Sequence, residues 1–234
     1  MTKSLFTKKI LLIYLLLFIS TLIISLGFFY LLNNGYLKPL FKGWADKTII
    51  VIDPGHGGFD PGATYGEVLE KDINLEISLI LADLLEKHND YAIIMTRKED
   101  ENPAKANSRD RILKSLQKRK TVALQYRADI FISIHTNSTK NKEARGPIVF
   151  YKEDNREAQK LAHSIQEKLW ALNPSFRTAL PGNFYLTNEI EGYTVLVEVG
   201  FLSNKEDREL LLDPDFQKNT AQAIYSAIKE FAYK

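Results

Sequence analysis

The chain has 234 residues, 45% of them hydrophobic, enough for one ordinary domain with a real core. It has no cysteine, which excludes disulfides, zinc ribbons and cysteine nucleophiles together. Three of the 31 basic residues, Lys3, Lys8 and Lys9, lead the chain; without them 28 basic residues stand against 29 acidic ones, and that near-neutral remainder gives no sign of nucleic-acid binding.

Ile10 to Leu32 is a run of 23 residues without a charge, long enough to span a hydrocarbon core. The lysines ahead of it put residues 1–9 in the cytoplasm as a basic tip and everything after Leu32 outside. A cleaved signal peptide is the alternative. Ser25-Leu26-Gly27 is a weak small-x-small site, but bulky Phe28, Phe29 and Tyr30 follow. The run also exceeds the usual apolar signal region of roughly 7–15 residues, so a retained anchor over 10–32 is the favoured reading. Asn33 to Asp46, with Asn-Asn-Gly, Lys38-Pro39 and Gly43, reads as a linker. A single domain, 47–234, follows.

Strand-like and helix-like segments then alternate. Lys47–Ile52 is a strand. Asp72 to His88 is a helix with Ile73, Ile77, Ile80, Leu81 and Leu84 on one face. Tyr91–Thr96 is a strand, Arg97–Asn107 a polar loop and Ser108–Tyr126 a basic helix. Ile130–Ile134 and Pro147–Tyr151 are strands, Glu153–Ala171 a helix and Val195–Val199 a strand. Asp213-Pro214 opens the last helix, Asp as N-cap and Pro at the first helical position, with Phe216, Ala223, Ile224, Ala227, Ile228 and Phe231 as its buried stripe. This alternation predicts an α/β fold, a mostly parallel twisted central sheet with helices on both faces. Such sheets place their sites at the carboxyl ends of the strands.

Two histidines stand there. His56 sits in Asp53-Pro54-Gly55-His56-Gly57-Gly58, directly after the apolar run Ile49–Ile52. His135 follows Ile130-Phe131-Ile132-Ser133-Ile134. Two histidines at two strand ends are the start of a metal site, and a catalytic zinc commonly takes two His and one Glu. Glu67 and Glu70 are the candidates for the third ligand. Glu70 is nearer the helix start and better fixed, although a carboxylate there is also favoured simply by the helix dipole.

Glu198 is a sharper anomaly, since every neighbour in Val195-Leu196-Val197-Glu198-Val199-Gly200-Phe201 is apolar. Burying a carboxylate costs several kcal/mol unless a charge or metal compensates. Burial raises its pKa and a cation opposes the rise, which suits a base poised for proton transfer. The bland alternative is an edge strand with Glu198 facing water. His88 reads as a helix C-terminal cap and His163 as a mid-helix residue, both solvated. Gly55, Gly57 and Gly58 could cradle a phosphate, but no Gly-Lys-Ser/Thr accompanies them. Ser133 and Ser203 lack the setting of a serine nucleophile.

Four blocks, Val51–Gly58, Leu69-Glu70-Lys71-Asp72, Phe131–Asn137 and Leu196–Asn204, resemble the signatures of zinc-dependent N-acetylmuramoyl-L-alanine amidases, the Amidase_3 family. The resemblance runs from about Lys47 to Ala232. The short chain, the apolar N-terminal segment and the lack of a wall-binding module are most similar to the family's germination-specific spore-cortex members. The resemblance implies one Zn2+ on His56, Glu70 and His135, which selects Glu70 over Glu67. It implies Glu198 as the catalytic glutamate, Asn137 as a weaker substrate contact and peptidoglycan as substrate; a regulatory protein partner is left open, its identity not given by the sequence.

Where the family usually has a Pro and a small residue before the glutamate strand, this chain has Gly192-Tyr193-Thr194, a departure that bears on substrate contacts and not on the metal. Trp170 to Gly182 is also poor in family identity. Some division amidases carry a helix over the zinc between the second histidine and the next long helix. The polar loop and the strand Pro147–Tyr151 leave no room for one, so no built-in lid is expected.

Two other functions fit parts of the sequence. A wall glycosidase would use Glu70 and Glu198 as its carboxylate pair but has no use for the histidines. A membrane-anchored wall-binding or scaffold module would not need all four residues intact.

Overall fold

The computed structural model describes residues 2–33, 47–103, 110–175 and 178–232. The chain divides into two units, Met1–Asp46 and Lys47–Lys234. The first holds helix α1 (Thr2–Asn33). Within it Ile10–Tyr30, 21 residues of mean hydropathy 2.7, is not buried in protein at all. At about 1.5 Å per residue this stretch matches the roughly 30 Å hydrocarbon core of a bilayer. Length and composition fit an anchor and a signal segment alike. Most of the predicted linker 33–46 lies outside the described residues, as do 104–109 of the predicted polar loop and basic helix.

The second unit runs β1 (Thr48–Pro54), β2 (Thr64–Tyr65), β3 (Val68–Leu69), α2 (Glu70–Glu86), β4 (Tyr91–Met95), α3 (Arg111–Tyr126), β5 (Ile130–Asn137), β6 (Ile148–Tyr151), α4 (Arg156–Leu172), β7 (Leu180–Pro181), α5 (Tyr185–Glu189), β8 (Tyr193–Phe201), α6 (Lys205–Leu211) and α7 (Pro214–Ala232). Six strands form one sheet in the order β4-β1-β5-β8-β6-β7, and β2 and β3 form a separate hairpin. The pairs β1–β4, β1–β5 and β5–β8 are parallel. β6 runs antiparallel to β8, a direction the β-α-β alternation did not anticipate. No helix separates β5 from β6, and a parallel neighbour needs a crossover of a dozen or more residues.

Successive strand residues point to opposite faces. Ile50, Ile52, Ile130, Ile132, Ile134, Val195, Val197 and Val199 pack with α2, α4 and α7 in the larger core. Val51 and Phe131 pack with Ala123 of α3 and with Leu186 and Ile190 around α5 in a smaller one. Helices therefore cover both faces, as expected. Ile50, Ile52 and Ile132 are fully buried, each contributing about 1.5–3 kcal/mol.

Several helix ends differ from expectation for local reasons. α2 begins at Glu70 rather than Asp72, directly after β3. α4 begins at Arg156 rather than Glu153 because Asn155 is its N-cap, accepting from the Ala158 amide at 2.9 Å. α7 starts as read, with Asp213 Oδ1 accepting from Asp215 N at 3.0 Å. His88 is not a solvated cap: its ring is hydrogen-bonded to the Tyr225 hydroxyl of α7. His163 is exposed, as read.

Candidate metal centre

β1, β5 and β8 end side by side, and the loop after β1 crosses the front of β5. His56 lies two residues past β1 with a backbone φ of 61°, in the left-handed region that a non-glycine residue uncommonly enters. Gly55 precedes it where any Cβ would overlap the His135 ring, so only glycine lets the loop approach that imidazole. His135 is inside β5 rather than after it, because the strand continues to Asn137.

Glu70, the first residue of α2, joins the two histidines. Its Oε1 lies 3.2 Å from His56 Nε2 and 3.0 Å from His135 Nδ1. The same oxygen accepts from the Thr136 amide at 3.1 Å and Asn74 Nδ2 at 3.3 Å, and Oε2 accepts from Ala63 N at 2.8 Å. One donor atom from each of His56, Glu70 and His135 lies within 4.8 Å of the others. The imidazole rings meet edge to face, 4.9 Å between centroids. Glu67 is exposed between β2 and β3, away from this cluster, so the hairpin separates the two glutamates that sequence left side by side.

Charge explains the protonation states. Burial works against ionised Glu70, but hydrogen bonds from His135 and His56 outweigh it and hold the carboxyl well below the usual range. Burial likewise opposes charge on His56, and hydrogen bonds to Asp60 and Glu70 overcome it, raising that imidazole to about 9. Asp60 Oδ2 is 2.9 Å from His56 Nδ1 and leaves Nε2 facing Glu70. Two imidazoles and a carboxylate converging in this way, one ring backed by a second carboxylate, fit a divalent metal of the zinc type.

Glu198 lies in β8 directly opposite His135 in the register of the parallel pair. β8 is an interior strand between β5 and β6, so the edge-strand alternative does not hold. Its Oε2 is buried with no hydrogen-bond partner among the described residues. Burial pushes the carboxyl up to about 7; the charge of Glu70 adds to the rise, while His135 and His56 oppose it.

The remaining sequence candidates separate. Asn137 is half-buried at the end of β5, its Oδ1 accepting from Ser138 N at 2.8 Å. Gly192-Tyr193-Thr194 opens β8 at the end remote from Glu198, with Tyr193 N donating to Asp129 O, so this departure is distant from the cluster. The amides of Gly57 and Gly58 are spent on Asp60 O and Asp100 Oδ1, which leaves no phosphate cradle. Ser133 Oγ donates to Asp53 and Ser203 Oγ accepts from Thr139 N, both framework bonds. No helix lies between β5 and β6 or between β6 and α4.

Sequence reasoning missed Asp60, Asn74, Arg97 and Arg119. A signal existed for Arg119: with Ser115 and Ala123 it occupies the buried face of α3 at four-residue spacing.

Residues 50–230 match the Amidase_3 family, described as N-acetylmuramoyl-L-alanine amidase. The germination-specific N-acetylmuramoyl-L-alanine amidase of Bacillus subtilis is 33% identical over 204 residues, covering 85% of this chain and 85% of the relative. The CwlD amidase of Clostridioides difficile, solved in complex with the GerS lipoprotein, superposes with a TM-score of 0.76 at 34% identity, covering 80% of this chain and 99% of that one. The catalytic domain of CwlV from Bacillus (Paenibacillus) polymyxa var. colistinus gives a TM-score of 0.70 at 29% identity, covering 80% and 98% of the two chains. A family match across most of the chain, a relative similar over most of both lengths and a shared sheet architecture agree: this chain belongs to the Amidase_3 family and is an N-acetylmuramoyl-L-alanine amidase.

Proposed function

We propose that the enzyme is zinc-dependent, with His56, Glu70 and His135 as metal ligands and Glu198 as general base and acid. The observation that carries this is the Glu198 carboxylate set opposite a ligand histidine with one buried oxygen unpartnered. When bound, zinc supplies polarisation of the lactyl carbonyl and acidification of a water. Glu198 takes the proton of the attacking water and returns it to the departing amine of L-alanine. Glu70 stays ionised beside both imidazoles and would join them in holding the metal; Asp60 fixes the His56 tautomer. Asn137, at the rim, contacts substrate. The products are an intact glycan with free lactyl carboxylates and peptides beginning with L-alanine.

The role we propose follows the relatives. The Bacillus subtilis protein is named germination-specific, which supports action on spore cortex here, as the step that leads to muramic-lactam formation. The Clostridioides difficile amidase was solved bound to a lipoprotein, which supports a protein partner here too. Residues 10–32 anchor the catalytic domain, 47–234, outside the cytoplasm, in the forespore intermembrane space. Fractionation should find the intact chain in membranes, and a mature chain beginning near Phe28 would show cleavage instead.

The direct test is mass spectrometry of peptidoglycan digested by the full-length protein in detergent. Peptides with free L-alanine amines are expected, release should stop on chelation and zinc should restore it. New reducing sugar ends with peptides still attached would favour a glycosidase using Glu70 and Glu198.

A further inference from the structure

We propose that Arg97 and Arg119 are positioning residues of the metal site, acting through the backbone that carries His56 and Glu70. The inference rests on the metal reading above. His56 keeps its left-handed backbone only where the surroundings over-determine it. Here five consecutive carbonyls accept from side chains. Pro54 O takes Arg97 Nε at 3.0 Å and Arg119 Nη1 at 2.8 Å. Gly55 O takes Arg97 Nη2 at 2.9 Å and Asn74 Nδ2 at 3.4 Å. His56 O takes Arg119 Nη2 at 2.5 Å. Gly57 O takes Asn102 Nδ2 at 3.1 Å and Gly58 O takes Lys71 Nζ at 3.2 Å.

One atom connects the two ligand-bearing segments. Arg97 Nη2 donates to Gly55 O at 2.9 Å and to Lys71 O at 2.7 Å, the residue before His56 and the residue after Glu70. The guanidinium therefore sets the separation of the chains that present these two ligands. Only a planar fork with several fixed donors can span carbonyls this way; an ammonium is a point donor.

Burial argues that this is more than packing. Arg97 and Arg119 are each only 2% exposed. Arg119 has a buried ion-pair partner in Asp53. Arg97 has no carboxylate within ion-pair distance among the described residues, and its donors go to the carbonyls of Pro54, Gly55, Lys71 and Glu99. A cation whose hydrogen bonds all go to carbonyls, beside a second arginine and with Asp53, Asp100 and Asp72 acting only from beyond ion-pair distance, is a costly way to fill a core, where apolar side chains of similar volume would serve. What it secures is the direction of the loop.

The test uses full-length Arg97→Lys, with Arg119→Lys as the second variant because it retains the charge opposite Asp53. Zinc affinity is measured by competition with a chromophoric chelator, and Co2+-substituted protein is examined by absorption. Thermal unfolding of the metal-free protein certifies the fold. The proposal expects zinc binding weaker by about tenfold or more and an altered cobalt spectrum in a protein that still folds. Wild-type zinc affinity and spectrum in both variants would overturn the clamp alone. Failure of both variants to fold without metal would assign the arginines to the framework and overturn it as well. Wild-type protein that takes up no zinc would overturn the metal reading itself.

Discussion

His135 and Glu198 are register partners on the adjacent parallel strands β5 and β8. Partners in register share a face of the sheet, so the pairing alone directs a carboxylate to the side that carries an imidazole. The same face has the thinner covering, the cluster around Val51, Phe131, Ala123, Leu186 and Ile190. Glu198 and His135 thus come from the regular part of the fold, while His56 and Glu70 come from a loop and a helix start.

Replacing Glu198 with Gln preserves shape and removes the titratable group. Glu198→Gln should bind zinc and unfold at a near-normal temperature while losing turnover by about 10²-fold or more. Metal content and peptide release measured on the same preparation check this, and near-normal turnover would remove Glu198 from the mechanism.

The raised carboxyl of Glu198 has a signed effect on stability. Its folded pKa of about 7 exceeds the ordinary 4.5, so the metal-free folded protein holds the proton more tightly than the unfolded chain. The resulting stabilisation is present at low pH and is lost as pH rises between about 4.5 and 7. Denaturant titrations of metal-free protein across that window should show this component, and Glu198→Gln should lack it. Identical pH dependence in the two proteins would contradict the assignment.

Asp60 holds the far nitrogen of His56 at 2.9 Å. Asp60→Asn keeps the volume and weakens the acceptor. Zinc affinity should fall by about 10–100-fold with little change in the fold. Chelator competition would detect it, and unchanged affinity would show that the carboxylate is dispensable to the site.

Gly55 leaves space that the His135 ring fills. Gly55→Ala should displace that ring or the loop, costing about 1–3 kcal/mol in stability and most of the zinc affinity. Calorimetric unfolding with a parallel metal titration tests both halves, and a variant with wild-type metal binding would show that the loop can give way.

Much of this was legible because buried parallel strands leave a strong trace. Runs of isoleucine and valine located β1, β5 and β8, and the histidines and Glu198 were conspicuous against them. Position near the helix start only favoured Glu70 over Glu67, because the separation of the two depends on the hairpin that leaves Glu67 exposed. The short helices α5 and α6 carry too few turns for periodicity to show. Arg97 lies in a stretch that reads only as a polar loop, and packing alone reveals that it points inward, whereas the four-residue spacing on α3 hinted at Arg119. The ring of His88 was misjudged for the same reason: its partner, Tyr225, lies 137 residues away.

β1 separates two duties along its length. The chain arrives at Thr48 and delivers its histidine just past Pro54, at the far end of a seven-residue strand roughly 20 Å long. A load applied at Thr48 therefore pulls at the foot of the sheet, while His56, Glu70 and His135 gather at the opposite lip. Changes on the side where the chain enters β1 can then accumulate without disturbing the strand end beside which His56, Glu70 and His135 gather.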